Sequence, residues 1–143
     1  MYLLDTNIWL ERLLNQTKAP DVKQLLDRVD DSELALSDFS FHSICVILSR
    51  ARKLALLDQF INDLFVQGKV ALLSLPGSDV QTLTAAIQAQ GLDFDDAYQY
   101  ALAKRDQLTL VSFDTDFDRT NLSRRTPAQV VATLPVPPPA GQT

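Results

Sequence analysis

The sequence predicts an α/β fold, a three-layer α/β/α sandwich around a central, mostly parallel sheet of four to five strands. Four short apolar runs have the length of buried strands, and segments with helical spacing separate them. These runs lie at residues 1–4, 34–36, 70–75 and 108–113. Strands that alternate with helices favour parallel pairing, because the helix carries the chain back to the end of the sheet where the preceding strand began. A short fifth strand is predicted within residues 127–134, through Val130 and Val131.

Amphipathic segments fill the intervals between these runs. The segment after Pro20 is typical, because Val22, Leu25, Leu26 and Val29 recur with the spacing of one helix face. The other predicted helices follow Asn7 and lie at residues 39–57 (as one or two helices), 58–66, 78–89 and 93–104. Helices therefore outweigh strands, which supports a sheet covered by helices.

Length and composition indicate one globular domain. Of 143 residues, 46% are apolar and 22% are charged. We assign residues 1–134 to the domain and 135–143, PVPPPAGQT, to a disordered tail, because prolines exclude a helix or an interior strand. The one cysteine, Cys45, cannot form an internal disulfide and is expected to be a small core residue. No apolar stretch approaches the ~20 residues of a membrane span, so a cytoplasmic protein is expected.

Acidic residues follow two of the predicted strands directly. Asp5 ends the first strand, and Asp114, Asp116 and Asp118 follow the strand at residues 108–113. Because the carboxyl ends of parallel strands lie at one edge of a sheet, these carboxylates are expected to lie close together. A third acidic segment begins the helix at residues 93–104. Apolar residues follow Asp96 on the side of this helix that is expected to face the core. The Asp96 side chain is therefore expected to point towards the same edge of the sheet.

Each acid also has an ordinary structural interpretation. Aspartate is a preferred N-cap, so Asp5 and Asp114 could each begin a helix or turn, and we assign Asp93 and Asp95 to capping and solvent. Acids from three distant segments are nevertheless more than capping needs. Carboxylate clusters suit Mg²⁺ or Mn²⁺, which prefer oxygen ligands and can activate water at a phosphodiester.

The net charge of -5 argues against a general nucleic-acid binder, which is usually basic. Metal ions held by acids can nevertheless supply the positive charge that a phosphate needs. Two basic clusters could contact an RNA backbone, although a solvated face is the commoner role of such clusters. They are Arg50, Arg52 and Lys53 in one case and Arg124 and Arg125 in the other.

The sequence gives less support to other kinds of catalytic site. His42 is the only histidine, and nothing places it beside Cys45 or Ser43 as a base beside a nucleophile. The four glycines form no phosphate-binding loop. A carboxylate-metal phosphatase would need Asp-x-Asp after the first strand, where this chain has Asp5 followed by Thr6 and Asn7.

In this order and spacing, the segments LLDTN, DDAYQYALA and LVSFDTDF resemble the PIN domain, and among PIN domains the VapC-like toxin ribonucleases of bacterial toxin–antitoxin pairs. The resemblance extends to about Val131. It implies a sheet of strand order 3-2-1-4-5 and cleavage of RNA with Mg²⁺ or Mn²⁺. By this resemblance Asp5, Asp96 and Asp114 are catalytic metal ligands, and Asp116 is a further ligand or a partner through water.

The resemblance also indicates supporting residues and one departure. By this resemblance Asn7 and Ser112 occupy positions that would support the site, and Asp118, from the same acidic run as Asp114 and Asp116, is a further supporting candidate. The family normally carries a Glu six residues beyond a Ser or Thr; counted from Ser37, that position is Ser43, which offers a neutral oxygen but no charge.

Two hypotheses about function follow. The first is a metal-dependent endoribonuclease that is the toxin of a toxin–antitoxin pair. The second is a catalytically degenerate PIN scaffold that binds protein or RNA, because the family Glu is absent. The partners implied by the resemblance are an RNA substrate, an antitoxin whose Arg or Lys would enter the acidic cleft, and a second copy in a homodimer.

Overall fold

A parallel sheet forms the centre of the molecule in the computed structural model, which describes residues 1–141. Its strands are β1 (Tyr2–Leu4), β2 (Leu34–Ser37), β3 (Ala71–Leu73) and β4 (Thr109–Val111). All pairings among them are parallel, and their order is β3-β2-β1-β4. The predicted α/β class and the 3-2-1-4 part of the predicted order are confirmed.

Helices surround this sheet. Within the described residues they are α1 (Thr6–Leu13), α2 (Ala19–Arg28), α3 (Asp38–Arg50), α4 (Leu54–Ile61), α5 (Val80–Gln90), α6 (Phe94–Asp106) and α7 (Pro127–Thr133). The segment predicted as one or two helices forms α3 and the start of α4. They separate near Arg52, whose left-handed backbone (φ 57°) is typical of a helix end. A π-helical stretch, Asn62–Gln67, continues α4.

The core has two parts, one on each face of the sheet. Successive strand side chains point to opposite faces. Leu3 and Leu110 accordingly belong to one buried cluster, whereas Leu4 and Val111, the next residues along each strand, belong to the other. Strands buried on both faces explain why the sequence shows continuous apolar runs instead of alternation.

The predicted fifth strand is wrong, because residues 127–133 form α7. Thr126 caps this helix: its hydroxyl accepts from the backbone N–H of Gln129, whose side chain accepts from the N–H of Thr126. Pro127 occupies the first helical turn, where its missing N–H has no consequence. The β-branched pair at 130 and 131 therefore lies on a helix, with Val130 fully buried.

A single residue occupies the place beside β4 where the fifth strand was expected. Arg125 forms an isolated parallel bridge with Val111. Its N–H donates to the carbonyl of Leu110, and its carbonyl accepts from the N–H of Ser112. The outer edge of β4 is thus partly covered, although no further strand of the described chain pairs with it.

Cys45, expected in the core, is only partly buried on α3, and burial raises the pKa of its thiol.

The C-terminal residues 135–141 form neither helix nor strand, and Val136 is 90% exposed. The predicted disordered tail also includes residues 142 and 143, which lie outside the described range. None of the described helices has the length and apolar composition required to cross a bilayer.

The cap of α7 gives a testable prediction. Thr126→Ala removes the side-chain oxygen that accepts from Gln129, and we expect a loss of about 1 kcal/mol in the free energy of unfolding. For a chain of this size, that loss lowers the melting temperature by about 2–4 °C. Thermal unfolding followed by circular dichroism measures it. The control is Thr84→Ala, an exposed threonine within α5, which should change stability by less than about 0.5 kcal/mol.

Candidate metal centre

Three carboxylates meet at the carboxyl edge of the sheet. Asp96, Asp114 and Asp116 each offer an oxygen, and these oxygens lie within 4.8 Å of one another. Asp96 belongs to the first turn of α6, whereas the other two follow β4. We call these three residues the acidic cluster. All three side chains are partly buried, so water screens their mutual repulsion incompletely.

Local hydrogen bonding places two of the three acids. Asp114 is the N-cap of a short 3₁₀ helix, Thr115–Arg119, and its Oδ1 accepts from the backbone N–H of Asp116 at 2.8 Å. The N–H of Asp114 in turn donates to Ser112 Oγ at 3.0 Å. The capping role that the sequence suggested for Asp114 and its place in the acidic cluster therefore coexist.

The electrostatics of the cluster are most evident at Asp96. Burial, and after it the neighbouring charges of Asp114, Asp5 and Asp116, together raise the pKa of its carboxyl group to about 7. Near neutral pH, Asp96 therefore holds its proton on a substantial fraction of molecules unless a cation offsets the surrounding charge.

Asp5 lies just behind the cluster and is only 7% exposed. Its Oδ1 accepts from the N–H of Thr6 at 2.8 Å and from Gln99 Nε2 at 3.1 Å. Its Oδ2 accepts from Ser112 Oγ at 2.7 Å and, more weakly, from Asn7 Nδ2 at 3.4 Å. Burial raises the pKa of Asp5, and the hydrogen bonds from its neighbours oppose that rise. Both oxygens of Asp5 are thus engaged by neutral donors, and it lies outside the three-residue group.

Asn7 in α1 and Ser112 after β4, which the sequence indicated as supporting residues, connect Asp5 at the end of β1 to the loop after β4. Ser112 is fully buried, and its hydroxyl accepts from Asn7 Nδ2 at 3.2 Å while donating to Asp5. Asn7 Oδ1 accepts from the N–H of Phe113 at 3.2 Å. These contacts fix Asp5 relative to the segment that carries Asp114 and Asp116.

The remaining candidates lie around the cluster. Asp118 forms a bidentate pair with Arg124, at 2.9 and 3.0 Å, which lowers the pKa of that carboxyl group and places it outside the acidic cluster. Asp116 pairs with the exposed Arg119 at 2.8 Å. Ser43 is partly buried on α3, one turn beyond Ser40.

The structure also indicates residues that the sequence did not. Gln99 is 2% exposed, and its Nε2 donates to Asp5 and, at 2.8 Å, to Ser40 Oγ. Ser40 Oγ accepts from Thr6 Oγ1 as well, at 2.8 Å. The available signal was the spacing of Gln99, which follows Asp96 by three residues and so shares its helix face.

The two basic clusters differ in position. Arg50, Arg52 and Lys53 are exposed at the far end of α3, which begins at the carboxyl edge of the sheet. Because α3 has 13 residues, this cluster lies about 20 Å along the helix from its start. Arg124, in contrast, is committed to Asp118 and donates to the carbonyl of Ser112 at 3.0 Å.

The donor set of the acidic cluster fits a hard divalent cation. Three carboxylates and no sulfur or nitrogen ligand are what Mg²⁺ and Mn²⁺ prefer. The raised pKa of Asp96 is consistent with such a site, since a cation would offset the repulsion that adds to the effect of burial on that pKa.

This arrangement defines a class of protein, an all-parallel α/β domain that gathers carboxylates at the carboxyl edge of its sheet. A family model of the PIN domain matches residues 2–122, and the chain therefore belongs to the PIN domain family. The family indicated by the sequence motifs is thereby confirmed. A search among curated proteins found no match to the chain.

Solved structures share the fold over most of their length. FitAcB from Neisseria gonorrhoeae is 25% identical, with a TM-score of 0.70 and coverage of 89% of this chain and 98% of that one. A toxin–antitoxin complex from Klebsiella pneumoniae is 21% identical, with a TM-score of 0.71 and the same coverage. VapC20 from Mycobacterium tuberculosis, a sarcin–ricin loop cleaving toxin, is 13% identical, with a TM-score of 0.72 and coverage of 86% and 97%. The chain thus has the fold of toxins from toxin–antitoxin pairs.

The raised pKa of Asp96 predicts how stability depends on pH without metal. Unfolded chains release this proton near pH 3.8, whereas the folded protein keeps it until about pH 7. The retained proton favours the folded state below the lower pKa, and this contribution is lost as the pH rises through the higher one. Melting temperatures in EDTA should therefore fall between about pH 4 and 7, and Asp96→Asn should flatten that fall.

The matched control for this prediction is Asp95→Asn, an exposed acid in the same helical turn. It changes the net charge equally and should keep the slope of the parent protein. Identical slopes in the parent and in Asp96→Asn would show that Asp96 has no raised pKa.

Proposed function

We propose that this PIN domain is a Mg²⁺- or Mn²⁺-dependent endoribonuclease and the toxin of a toxin–antitoxin pair. The observation that carries the proposal is the acidic cluster. Carboxylates from α6 and from the segment after β4 lie within 4.8 Å of one another, in a fold shared with known toxins. Clustering of like charges destabilises a protein, so its presence supports a role in holding a cation.

The residues divide the task among them. Asp96, Asp114 and Asp116 would hold the cation, and Asp5 adds a fourth negative charge directly behind them. A bound divalent cation supplies the acidity that activates water and offsets the charge on a phosphodiester under attack. Ser112 donates to Asp5 and accepts from the N–H of Asp114, so it would fix the position of Asp114 relative to Asp5. Direct ligation by Asp5 remains a prediction.

The partners follow from charge. RNA would approach through the cation, because the chain itself carries a net charge of -5. An antitoxin would present Arg or Lys, whose charge matches the carboxylates and would compete with the cation. The neighbouring structure from Klebsiella pneumoniae is a toxin–antitoxin complex, which supports such a partner. A homodimer is part of the same proposal.

A second candidate function is a non-catalytic scaffold that binds protein or RNA. Two observations favour it: Ser43 occupies the position where the family carries a Glu, and Arg119 pairs with Asp116 at 2.8 Å. The Arg119 charge beside Asp116 and the absence of the family Glu would both weaken metal binding. The two functions differ in whether the isolated protein binds Mn²⁺ with an affinity that depends on the cluster.

Metal binding is the direct test of the first function. Calorimetric titration should give saturable Mn²⁺ binding by the parent protein, and Asp96→Asn should weaken it by about 100-fold or more, because a ligand with charge is lost. RNA cleavage in Mn²⁺ should fall with it and should stop in EDTA. Asp95→Asn, with the same loss of charge outside the cluster, should stay within about threefold of the parent.

Two results would contradict the proposal. RNA cleavage that persists in EDTA would exclude dependence on the cation. Equal Mn²⁺ affinities for the parent, Asp95→Asn and Asp96→Asn would exclude the acidic cluster as the metal site, and no binding to any of the three would favour the scaffold.

Restoring the family carboxylate gives a gain-of-function prediction. Ser43 follows Ser40 by three residues on α3 and so shares the helix face that reaches Gln99. Ser43→Glu should lower the Kd for Mn²⁺ by about tenfold, equivalent to about 1.4 kcal/mol. The control is Ser43→Gln, which has the same shape without the charge. Equal affinities for these two variants would show that residue 43 does not face the site.

A further inference from the structure

Gln99 is the buried polar side chain whose presence the fold alone does not explain. It lies on α6 between Tyr98 and Tyr100, on a helix whose buried residues are otherwise mostly apolar. It is 2% exposed and follows Asp96 by almost one helical turn. An apolar side chain at this position would pack against the sheet without any hydrogen-bonding requirement.

The amide of Gln99 is only half satisfied. Its Nε2 donates to Asp5 Oδ1 at 3.1 Å and to Ser40 Oγ at 2.8 Å. Its Oε1 is buried and has no hydrogen-bond donor among the described residues. Buried polar atoms without partners are rare in folded proteins, and each destabilises the fold unless another advantage offsets it.

The orientation of the amide follows from its surroundings. If the amide were rotated by half a turn, Oε1 would face the Asp5 carboxylate, and two acceptors would repel each other. The donor therefore faces Asp5, and the unpartnered oxygen is the consequence. Gln99 thus connects three segments that the sequence separates widely: the end of β1, the first turn of α3 and the helix that carries Asp96.

We propose that Gln99 is a positioning residue, which fixes the Asp5 carboxylate relative to Asp96 and so prepares the acidic cluster for its cation. The inference rests on the proposed function, since it assigns Gln99 a role in that same site. Groups that hold ligands from behind commonly change metal affinity by about 10- to 100-fold when removed. The unpartnered oxygen of Gln99 destabilises the fold, whereas its donor bond to Asp5 stabilises it, so loss of the amide should lower metal affinity with little net change in stability.

The experiment compares the parent protein with Gln99→Met. Methionine has a similar length and shape, but it neither donates to Asp5 nor leaves a carbonyl oxygen unpartnered. We expect the Kd for Mn²⁺ alone, measured by calorimetry, to rise by about 10- to 100-fold. We expect the melting temperature in EDTA to stay within about 2–4 °C of the parent, because removal of the unpartnered oxygen offsets loss of the hydrogen bond to Asp5.

The matched control is Leu102→Met, which places the same side chain at another buried position of α6, away from the acids. It should leave the Kd for Mn²⁺ within about threefold of the parent, because such volume-conserving swaps are well tolerated.

The possible outcomes distinguish the positioning role of Gln99 from the proposed metal-dependent function on which it rests. Unchanged or tighter Mn²⁺ binding by Gln99→Met would overturn the positioning role while leaving the metal centre intact. A fall in melting temperature with an unchanged Kd, or failure of this variant alone to fold, would show that Gln99 is only a structural link. Absence of Mn²⁺ binding by the parent would overturn the proposed function and, with it, this inference.

Discussion

The arrangement of the site depends on one buried charge, the carboxylate of Asp5. A charge removed from water must be satisfied by the protein, and here the backbone of Thr6 and the side chains of Gln99, Ser112 and Asn7 supply the donors. These donors come from α1, α6 and the end of β4. Satisfying Asp5 therefore brings together the segments that carry the other acids, and the end of β1 becomes the point from which the site is built.

The acidic cluster in front of Asp5 has the opposite character. Its members are only partly buried, and burial together with their mutual repulsion raises the pKa of Asp96. Arg119 offsets part of the charge of Asp116 from the exposed side. The molecule thus separates two kinds of carboxylate: Asp5, whose two oxygens are both engaged by neutral hydrogen-bond donors, and the acidic cluster, which retains excess negative charge. The second kind is suited to a cationic ligand.

The sequence was most informative where a local pattern determines the structure. Apolar runs ended by Asp5 and Asp114 predicted two parallel strands, and these strands pair with each other in the sheet. The strand predicted through Val130 and Val131 was wrong, because the capping of α7 by Thr126 outweighs the preference of two β-branched residues for strands. The spacing of Gln99 from Asp96 places both on one helix face, but its bond to Asp5 could not be predicted, because Asp5 lies 94 residues away and a glutamine in a helix usually faces solvent. Local patterns thus predicted the strands and their acids, whereas long-range contacts determine how those acids are held.

The cap that Asp114 forms with the N–H of Asp116 has a consequence for the entropy of ligand binding. Ordering a loop of charged residues lowers the conformational entropy of its backbone and side chains. When only the ligand orders the loop, this loss of entropy weakens ligand binding. In this chain the turn is closed by its own side chain, so the loss occurs during folding. A ligand of the acidic cluster would therefore meet carboxylates that are already arranged, and most of its interaction energy would remain available as affinity.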